Sequence, residues 1–229
     1  MNRAIVNLDR KALANIHQYS LDVLKDTGIR FPSENALAVF KHHGIRVDGN
    51  IVFFGEKDIQ IAMDGVPAAF TLEARNPSRS IRIGENNYVM APGYGPPFII
   101  EPTGEKRDAT RADVETFCKL VQTSKYLDFN SAMVVQPKDI PPETAHLDIL
   151  LATMTLTDKP LMGSSTSQAA ANDSLKLAEM IWGHLDKPVM LSLIDSLSPL
   201  QYAQDSIEAL WYLQKRGSRR SSIRPAPWG

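Results

Sequence analysis

The chain has 229 residues, of which 43% are apolar and 22% are charged, so it is long enough to bury a core of one large or two small domains. Its formal net charge is −1, which excludes an overall field that would steer it to nucleic acid or to an anionic membrane surface. The one cysteine, Cys118, excludes an internal disulfide and a cysteine metal cluster, and favours a reducing, cytoplasmic setting.

The first residues predict neither export nor membrane insertion. The opening MNRAIVNLDRKALANIHQ carries charges throughout and lacks the apolar core of a signal peptide. No apolar run approaches the length of about 20 residues that a membrane-spanning helix needs. We therefore expect no membrane partner.

Residues 1–85 are predicted to form a helical region followed by a β-hairpin. Leu13, Ile16 and Val23 fall on one stripe of a first helix, and Ser33 is placed to cap a second. A short helix is expected near 56–63. The pattern then changes to alternation in AFTLEARN and SIRIG, with NPSR as a turn between them, so residues 69–84 are predicted to form the hairpin.

Residues 86–213 show a repeat in which strand-like segments alternate with helices. The strand-like segments are YVMAPG (88–93), FNSAMVV (129–135), KPLMGSS (159–165) and KPVMLSLI (187–194). The helix ATRADVETFCKLVQTS has Thr110 as its cap with Asp113 three residues later. Its predicted inward positions are Val114, Phe117, Leu120 and Val121.

This alternation predicts an α/β fold with a parallel sheet, either a TIM barrel or an open doubly wound sheet. The segment GYGPP begins like a dinucleotide-binding fingerprint, but its prolines stand where helix-opening amides are needed. The barrel is therefore favoured. Only the first four βα units fit into residues 86–213, so the expectation is about half of a (β/α)8 barrel with two unpaired edges.

In such a barrel the functional groups lie at the carboxyl ends of the strands. The candidate substrate-binding residues at those positions are Tyr94, Asn130, Ser164, Ser165, Asp195 and Ser196. They are small and polar, with one aromatic ring that can face an ammonium group and one carboxylate. The alternative for each hydroxyl is a purely structural role at a strand end or helix cap, as expected for Thr166 or Ser167.

The remaining reactive side chains carry weaker signals. Glu143 and His146 stand at i and i+3, which is half of a di-iron helix motif, but no second copy is present. Cys118 is predicted to be a small buried hydrophobe rather than a nucleophile. No catalytic residue and no metal site is assigned.

Longer segments identify a family. The chain resembles the trimethylamine methyltransferase family, whose members are corrinoid-dependent and include glycine betaine enzymes. The resemblance covers nearly all of residues 10–213, in order, and only the N-terminal half of the family's length. It is carried by the segments IHQYSLDVLKDTGIRFPSENALAVFKHHGIRVDG, FTLEARNPSRSIRIG, VMAPGYGPPFI, QPKDIPPETAHLDILLATMTLTDKPLMGSSTS and DSLSPLQYAQDSIEAL.

The resemblance implies a TIM-barrel enzyme that moves a methyl group from a methylated amine, trimethylamine or a glycine betaine-like molecule, to Co(I). The corrinoid cofactor would be carried by a separate corrinoid protein. A homo-oligomer is expected for the full-length enzyme. With half of the barrel mouth absent, we expect the 229-residue chain to be inactive alone.

The last residues, 214–229, depart from the family pattern. A different reading frame compatible with KRGSRRSSIRPAPWG can encode a family-like strand, so the segment is interpreted as an out-of-frame tail. Two alternatives remain open: a non-catalytic fragment, or a binding protein whose basic tail contacts nucleic acid. The second is disfavoured because the body of the chain offers no matching basic motif, so no nucleic acid partner is expected.

Overall fold

The computed structural model describes residues 9–131 and 133–220. Contacts within the chain divide it into two compact units. Among the described residues, the first unit comprises 9–66 together with Asp195–Ile207, and the second comprises Pro67–Ile194 together with 208–220. The final residues of the predicted tail, 221–229, lie outside the described residues.

The first unit combines helices with a three-stranded antiparallel sheet. Its elements are α1 (Arg10–Asp22), β1 (Ile29–Arg30), α2 (Glu34–His42), β2 (Arg46–Asp48), β3 (Ile51–Phe53) and α3 (Glu56–Asp64). In the sheet, β3 lies between β1 and β2 and pairs antiparallel with both. The helices were predicted and the sheet was not, because strands of two or three residues are too short to show alternation.

Aromatic and branched side chains form the core of the first unit. Phe31, Ile45 and Val52 are buried there. The ring of Phe31 lies 4.9 Å from that of Phe40, edge to face. Ser33 caps α2 as predicted, its hydroxyl accepting the Ala36 N–H at 3.4 Å.

The apolar stripe predicted on α1 stays on the surface of the described structure. Leu13 and Ile16 are 47% and 52% exposed. Helical periodicity therefore located the helix correctly without locating a neighbour that covers its apolar face.

The second unit begins with the predicted hairpin. Strands β4 (Ala69–Leu72) and β5 (Ile81–Gly84) pair antiparallel, with Ala69 opposite Gly84. The turn between them is ordered by Asn76, whose side-chain oxygen accepts the Ser78 N–H at 3.2 Å. The hairpin over residues 69–84 is thus confirmed.

The remaining elements of the second unit are a pair of strands, a pair of helices, and then strands and helices in alternation. They are β6 (Phe98–Ile100), β7 (Lys106–Asp108), α4 (Arg111–Thr123), α5 (Ala145–Leu156), β8 (Leu161–Gly163), α6 (Gln168–Trp182), β9 (Met190–Ser192) and α7 (Gln204–Arg220), which begins in the first unit. Strands β6 and β7 form a second antiparallel hairpin that was not predicted. The α/β class is confirmed, as helices with small sheets, and the described residues contain no closed barrel.

The predicted parallel segments are adjacent in the order in which they follow along the chain. The Asp128 N–H donates to the Met90 carbonyl at 2.8 Å, and Asn130 forms a parallel bridge to Leu161. Strands β8 and β9 then pair in parallel, with Leu161 opposite Met190. Hydrogen bonds thus link the four regions in chain order, and parallel pairing is seen between Asn130 and β8 and between β8 and β9.

Two of the four predicted strands are corrected by the structure. Residues 88–93 form no strand, and residues 129–135 contribute only the bridge at Asn130 in their described part. One physical reason in the first case is Pro92, which has no N–H to donate to a ladder.

The core of the second unit lies around α4, α5 and α6. Val114, Cys118 and Val121 are buried, and Thr110 with Asp113 forms the predicted capping box of α4. The prediction for Leu120 was wrong, because this side chain is 57% exposed. Cys118 is confirmed as a buried residue, and burial raises the pKa of its thiol.

Candidate functional site

A cleft of about 270 Å³ opens in the second unit. It lies among the Tyr94 loop, the segment after residue 132, the beginning of α5 and the loop that follows β8. Its volume is close to the lower end of the roughly 300–1,000 Å³ found for small-molecule sites. The polar side chains that line it are Tyr94, Gln136, Lys138, His146, Ser164 and Thr166, and the apolar ones include Met133, Ile140 and Ile149.

Backbone hydrogen bonds hold the cleft loops in place. The Gly95 N–H donates to the Met133 carbonyl at 2.7 Å, and the Gln136 N–H donates to the Pro96 carbonyl at 3.0 Å. These two bonds join the loop of Tyr94 to the neighbouring segment. Tyr94 therefore lies in a loop whose backbone is anchored by the two residues that follow it, Gly95 and Pro96.

The loop after β8 presents hydroxyl groups. The hydroxyls of Ser164 and Thr166 lie 3.2 Å apart, and both residues line the cleft. The Ser164 N–H donates to the buried Ser174 hydroxyl at 2.9 Å, which fixes the loop against α6. Ser167, which directly follows Thr166, caps α6 by accepting the Ala170 N–H at 3.1 Å.

Two of the predicted site residues are buried beside the cleft lining without belonging to it. The Ser165 hydroxyl donates to the Leu193 carbonyl at 2.6 Å, which is a structural role. Asn130 is fully buried, and its side-chain oxygen accepts the Ser131 N–H at 2.9 Å. Its amide nitrogen Nδ2 is buried and forms no hydrogen bond within the described structure.

The structure places Asp195 and Ser196 in the first unit, where both are exposed. Neither lines the cleft. Of the six predicted residues, the cleft thus brings together Tyr94 and Ser164. Tyr94 follows the strand-like segment 88–93 and Ser164 directly follows β8, as the prediction placed them.

His146 is a cleft residue to which the sequence analysis gave little weight. Its Nε2 atom lies 3.1 Å from Oδ2 of Asp173 on α6, and its side chain is mostly buried. The spacing of Glu143 and His146 drew attention to a metal motif rather than to a cleft. No group of three or more His, Cys, Asp or Glu side chains in the described chain comes together as metal ligands.

Lys138 was also missed. It follows the strand-like segment 129–135, and this position at a strand end is the signal that could have identified it. Its backbone N–H donates to the Ala109 carbonyl at 2.8 Å, and its side chain lines the cleft. The described lining residues include this lysine and His146 but no Asp or Glu.

Comparisons with known proteins agree with the resemblance found in the sequence. The model of the family described as trimethylamine methyltransferase (MTTB) matches residues 2–225. The glycine betaine methyltransferase of Desulfitobacterium hafniense (strain Y51) is 37% identical over 214 residues, which are 92% of this chain and 45% of that protein. The proline betaine:corrinoid methyltransferase of Eubacterium limosum is 32% identical over 88% of this chain and 44% of its own length.

A trimethylamine methyltransferase from Desulfitobacterium hafniense (strain DSM 10664 / DCB-2) is 28% identical over 206 residues. The chain spans less than half the length of each of these relatives. Among the described residues, no helix has the length and apolar character needed to cross a membrane. Because the family model matches nearly the whole sequence, the chain belongs to the trimethylamine methyltransferase family.

Proposed function

We propose that this chain forms the amine-binding part of a methyltransferase that moves a methyl group from a small methylated amine to a corrinoid carried by a separate protein. The observation that carries the proposal is the family match over residues 2–225. The proline betaine:corrinoid methyltransferase of Eubacterium limosum adds support, since its name identifies a corrinoid as its partner in the reaction. A cytoplasmic setting and a homo-oligomeric full-length enzyme stay predictions from the sequence.

We also propose that the parallel segments of the second unit are the first part of a TIM-type barrel. Support comes from their order, because each segment lies beside the one that precedes it along the chain. Sequential parallel neighbours are what a (β/α)8 barrel requires. The cleft would then lie at the carboxyl ends of the strands, where Ser164 directly follows β8.

The chemistry needs little from the protein beyond binding and orientation. Co(I) is a strong nucleophile, so the cofactor supplies the bond-making electrons. On transfer the donor C–N bond would break with its electron pair left on nitrogen, and the Co(I) corrinoid of the partner protein would supply the electron pair that accepts the methyl group. A quaternary ammonium substrate leaves as a neutral tertiary amine, so no proton has to be supplied.

Tyr94 is the residue best suited to hold the ammonium group. A quaternary ammonium cannot donate a hydrogen bond, and an aromatic face attracts it through the ring quadrupole. The backbone bonds of Gly95 and Pro96 to the neighbouring segment hold the Tyr94 loop in place, so the loop needs little rearrangement to present the ring. The hydroxyls of Ser164 and Thr166 would complete the polar side of the cleft.

Calorimetric titration of glycine betaine and tetramethylammonium into the chain tests this assignment. We expect the substitution Tyr94→Leu to lower the affinity for both cations about fivefold to thirtyfold, because one cation–π contact is lost. The matched control Tyr94→Phe keeps the aromatic ring and should keep the affinity. Equal affinity of the parent and Tyr94→Leu for both cations would remove Tyr94 from the site.

Methyl transfer is tested separately, by following the absorbance of a Co(I) corrinoid protein with glycine betaine or trimethylamine as donor. Because the chain spans less than half the length of its relatives, we expect binding without turnover from residues 1–229 alone. Robust turnover would overturn that expectation and support a complete active site. If no methylated amine bound, the proposed function itself would fail.

A further inference from the structure

The cleft of the second unit has a positive lining. Lys138 is the lysine on its wall, and none of its described lining residues is Asp or Glu. The acidic group nearest in sequence is Asp139, and its carboxylate accepts the Arg111 N–H at 2.8 Å. A second acidic group, Asp173, is hydrogen-bonded to His146 and does not line the cleft.

The ammonium of Lys138 has no ion-pair partner within the described part of the chain. Its side chain is exposed at the cleft, while its backbone is anchored to Ala109. The neighbouring helix α5 begins at Ala145, which also lines the cleft, so the positive end of the helix dipole adds to the same field. A simple methylammonium carries only a positive charge, so it would bring no negative group to balance this field.

We propose that Lys138 selects methylated amines that carry a carboxylate, by binding that carboxylate while Tyr94 holds the quaternary ammonium. The substrate class of the cleft is then a zwitterionic betaine rather than a simple methylamine. The inference rests on the proposed function, since it assigns the second pole of the same substrate. Lys138 is a specificity-determining residue in this arrangement, because it contacts the part of the substrate that does not react.

The two poles explain how a cleft without an acidic wall can accept a cation. The carboxylate of the ligand neutralises the field of Lys138, and the ring of Tyr94 interacts with the ammonium without adding charge. Because Lys138 is exposed, solvent screens the bond from its ammonium to a carboxylate, and this bond should change affinity about twofold to fivefold. Discrimination between betaines and simple methylamines should therefore depend on residue 138.

The test compares glycine betaine with tetramethylammonium, which has the same cationic head and no carboxylate, by calorimetric titration into the full 229-residue chain. We expect glycine betaine to bind the parent about twofold to fivefold more tightly. The substitution Lys138→Met should abolish this preference by weakening glycine betaine and should leave tetramethylammonium equal or slightly tighter. Lys119→Met removes the same charge from an exposed position on α4 outside the cleft lining and should change neither affinity.

The remaining outcomes of the titration can be told apart. Equal binding of the two ligands by the parent, or equal weakening of both by Lys138→Met, would overturn carboxylate selection and leave the proposed amine site intact. A loss of glycine betaine binding in Lys119→Met as large as in Lys138→Met would also overturn it, because a long-range charge effect would then suffice. If neither ligand bound the parent, both this inference and the placement of the amine site would fail.

Discussion

The buried lysine Lys159 offers a sharp test of how the second unit is held together. Lys159 is 3% exposed. Its ammonium donates to three carbonyl oxygens, those of Val121 at 2.7 Å, Ser124 at 2.6 Å and Leu127 at 2.6 Å. These carbonyls lie at and beyond the end of α4, where helix geometry leaves acceptors without partners. All three ammonium hydrogens are therefore used to close the carboxyl end of one helix.

The substitution Lys159→Met keeps the length and apolar stem of the side chain and removes its three donors. The Val121 carbonyl is buried with Lys159, and leaving it unpaired costs about 1–3 kcal/mol. Loss of a positive charge at a helix carboxyl end costs about a further 0.3–1 kcal/mol. Burial lowers the pKa of Lys159, so removing the charge also relieves a desolvation cost, and we expect a net loss of about 2–3 kcal/mol.

Thermal unfolding followed by circular dichroism measures the effect. For a chain of this size the expected loss corresponds to a fall in Tm of at least about 4 °C. The matched control is Lys187→Met, since the Lys187 side chain is 59% exposed and pairs with Glu73 at 2.9 Å on the surface. Solvent screens that pair, so the control should leave Tm nearly unchanged.

The reasoning would be refuted by a Lys159→Met protein that unfolds at the same temperature as the Lys187→Met protein. That result would mean that water or a shifted backbone satisfies the three carbonyls as well as the ammonium does. A loss of helix signal before unfolding, confined to Lys159→Met, would instead support the view that the lysine closes α4.

Two further predictions concern the acid limb of stability and the first hairpin. The hydrogen bonds of Arg107 to Asp113, at 2.7 Å and 2.8 Å, and then those of Thr110, hold the pKa of the Asp113 carboxyl well below its usual range. This stabilisation is present above about pH 4 and is lost as pH falls further. The substitution Asp113→Asn should therefore lower Tm at pH 7 and make Tm fall less steeply below about pH 4. The same decline of Tm in acid for both proteins would contradict this. In the hairpin, Gly84 has φ +103° and a Cβ there would collide with the Ala68 carbonyl oxygen, so Gly84→Ala should cost about 3 kcal/mol or more in urea unfolding. Gly104→Ala, at φ +88° with nothing within 4 Å of a Cβ, isolates the backbone strain and should cost about 1–2 kcal/mol; equal costs would rule out the collision.

The sequence predicted those parts of the structure that depend on near neighbours in the chain. The capping box of Thr110 and Asp113, the cap at Ser33 and the hairpin over 69–84 are all local, and all are confirmed. Their hydrogen-bonding groups lie within a few residues of one another, so residue type and spacing are sufficient. The family was also recognisable, because the order of many segments carries more information than any single motif.

Exposure was predicted less well. Leu120 has the spacing of an inward residue on α4 and is nevertheless on the surface. Periodicity identifies a helix face, but only the packed neighbours decide how much of that face is covered. The prediction of a strand at 88–93 was wrong for a related reason. Its apolar residues fit the strand pattern, but its backbone forms no continuous hydrogen-bond ladder.

The sequence by itself determined several helices with the caps at Ser33 and Thr110, the first hairpin, the α/β class and the family. Only the tertiary structure decided that Tyr94 and Ser164 line one cleft together with Lys138 and His146. It also decided that the Ser165 hydroxyl donates to the Leu193 carbonyl instead of facing the cleft. The physical reason is distance along the chain: these residues are brought together by hydrogen bonds and packing between segments far apart in sequence. Local sequence patterns do not predict contacts of this kind.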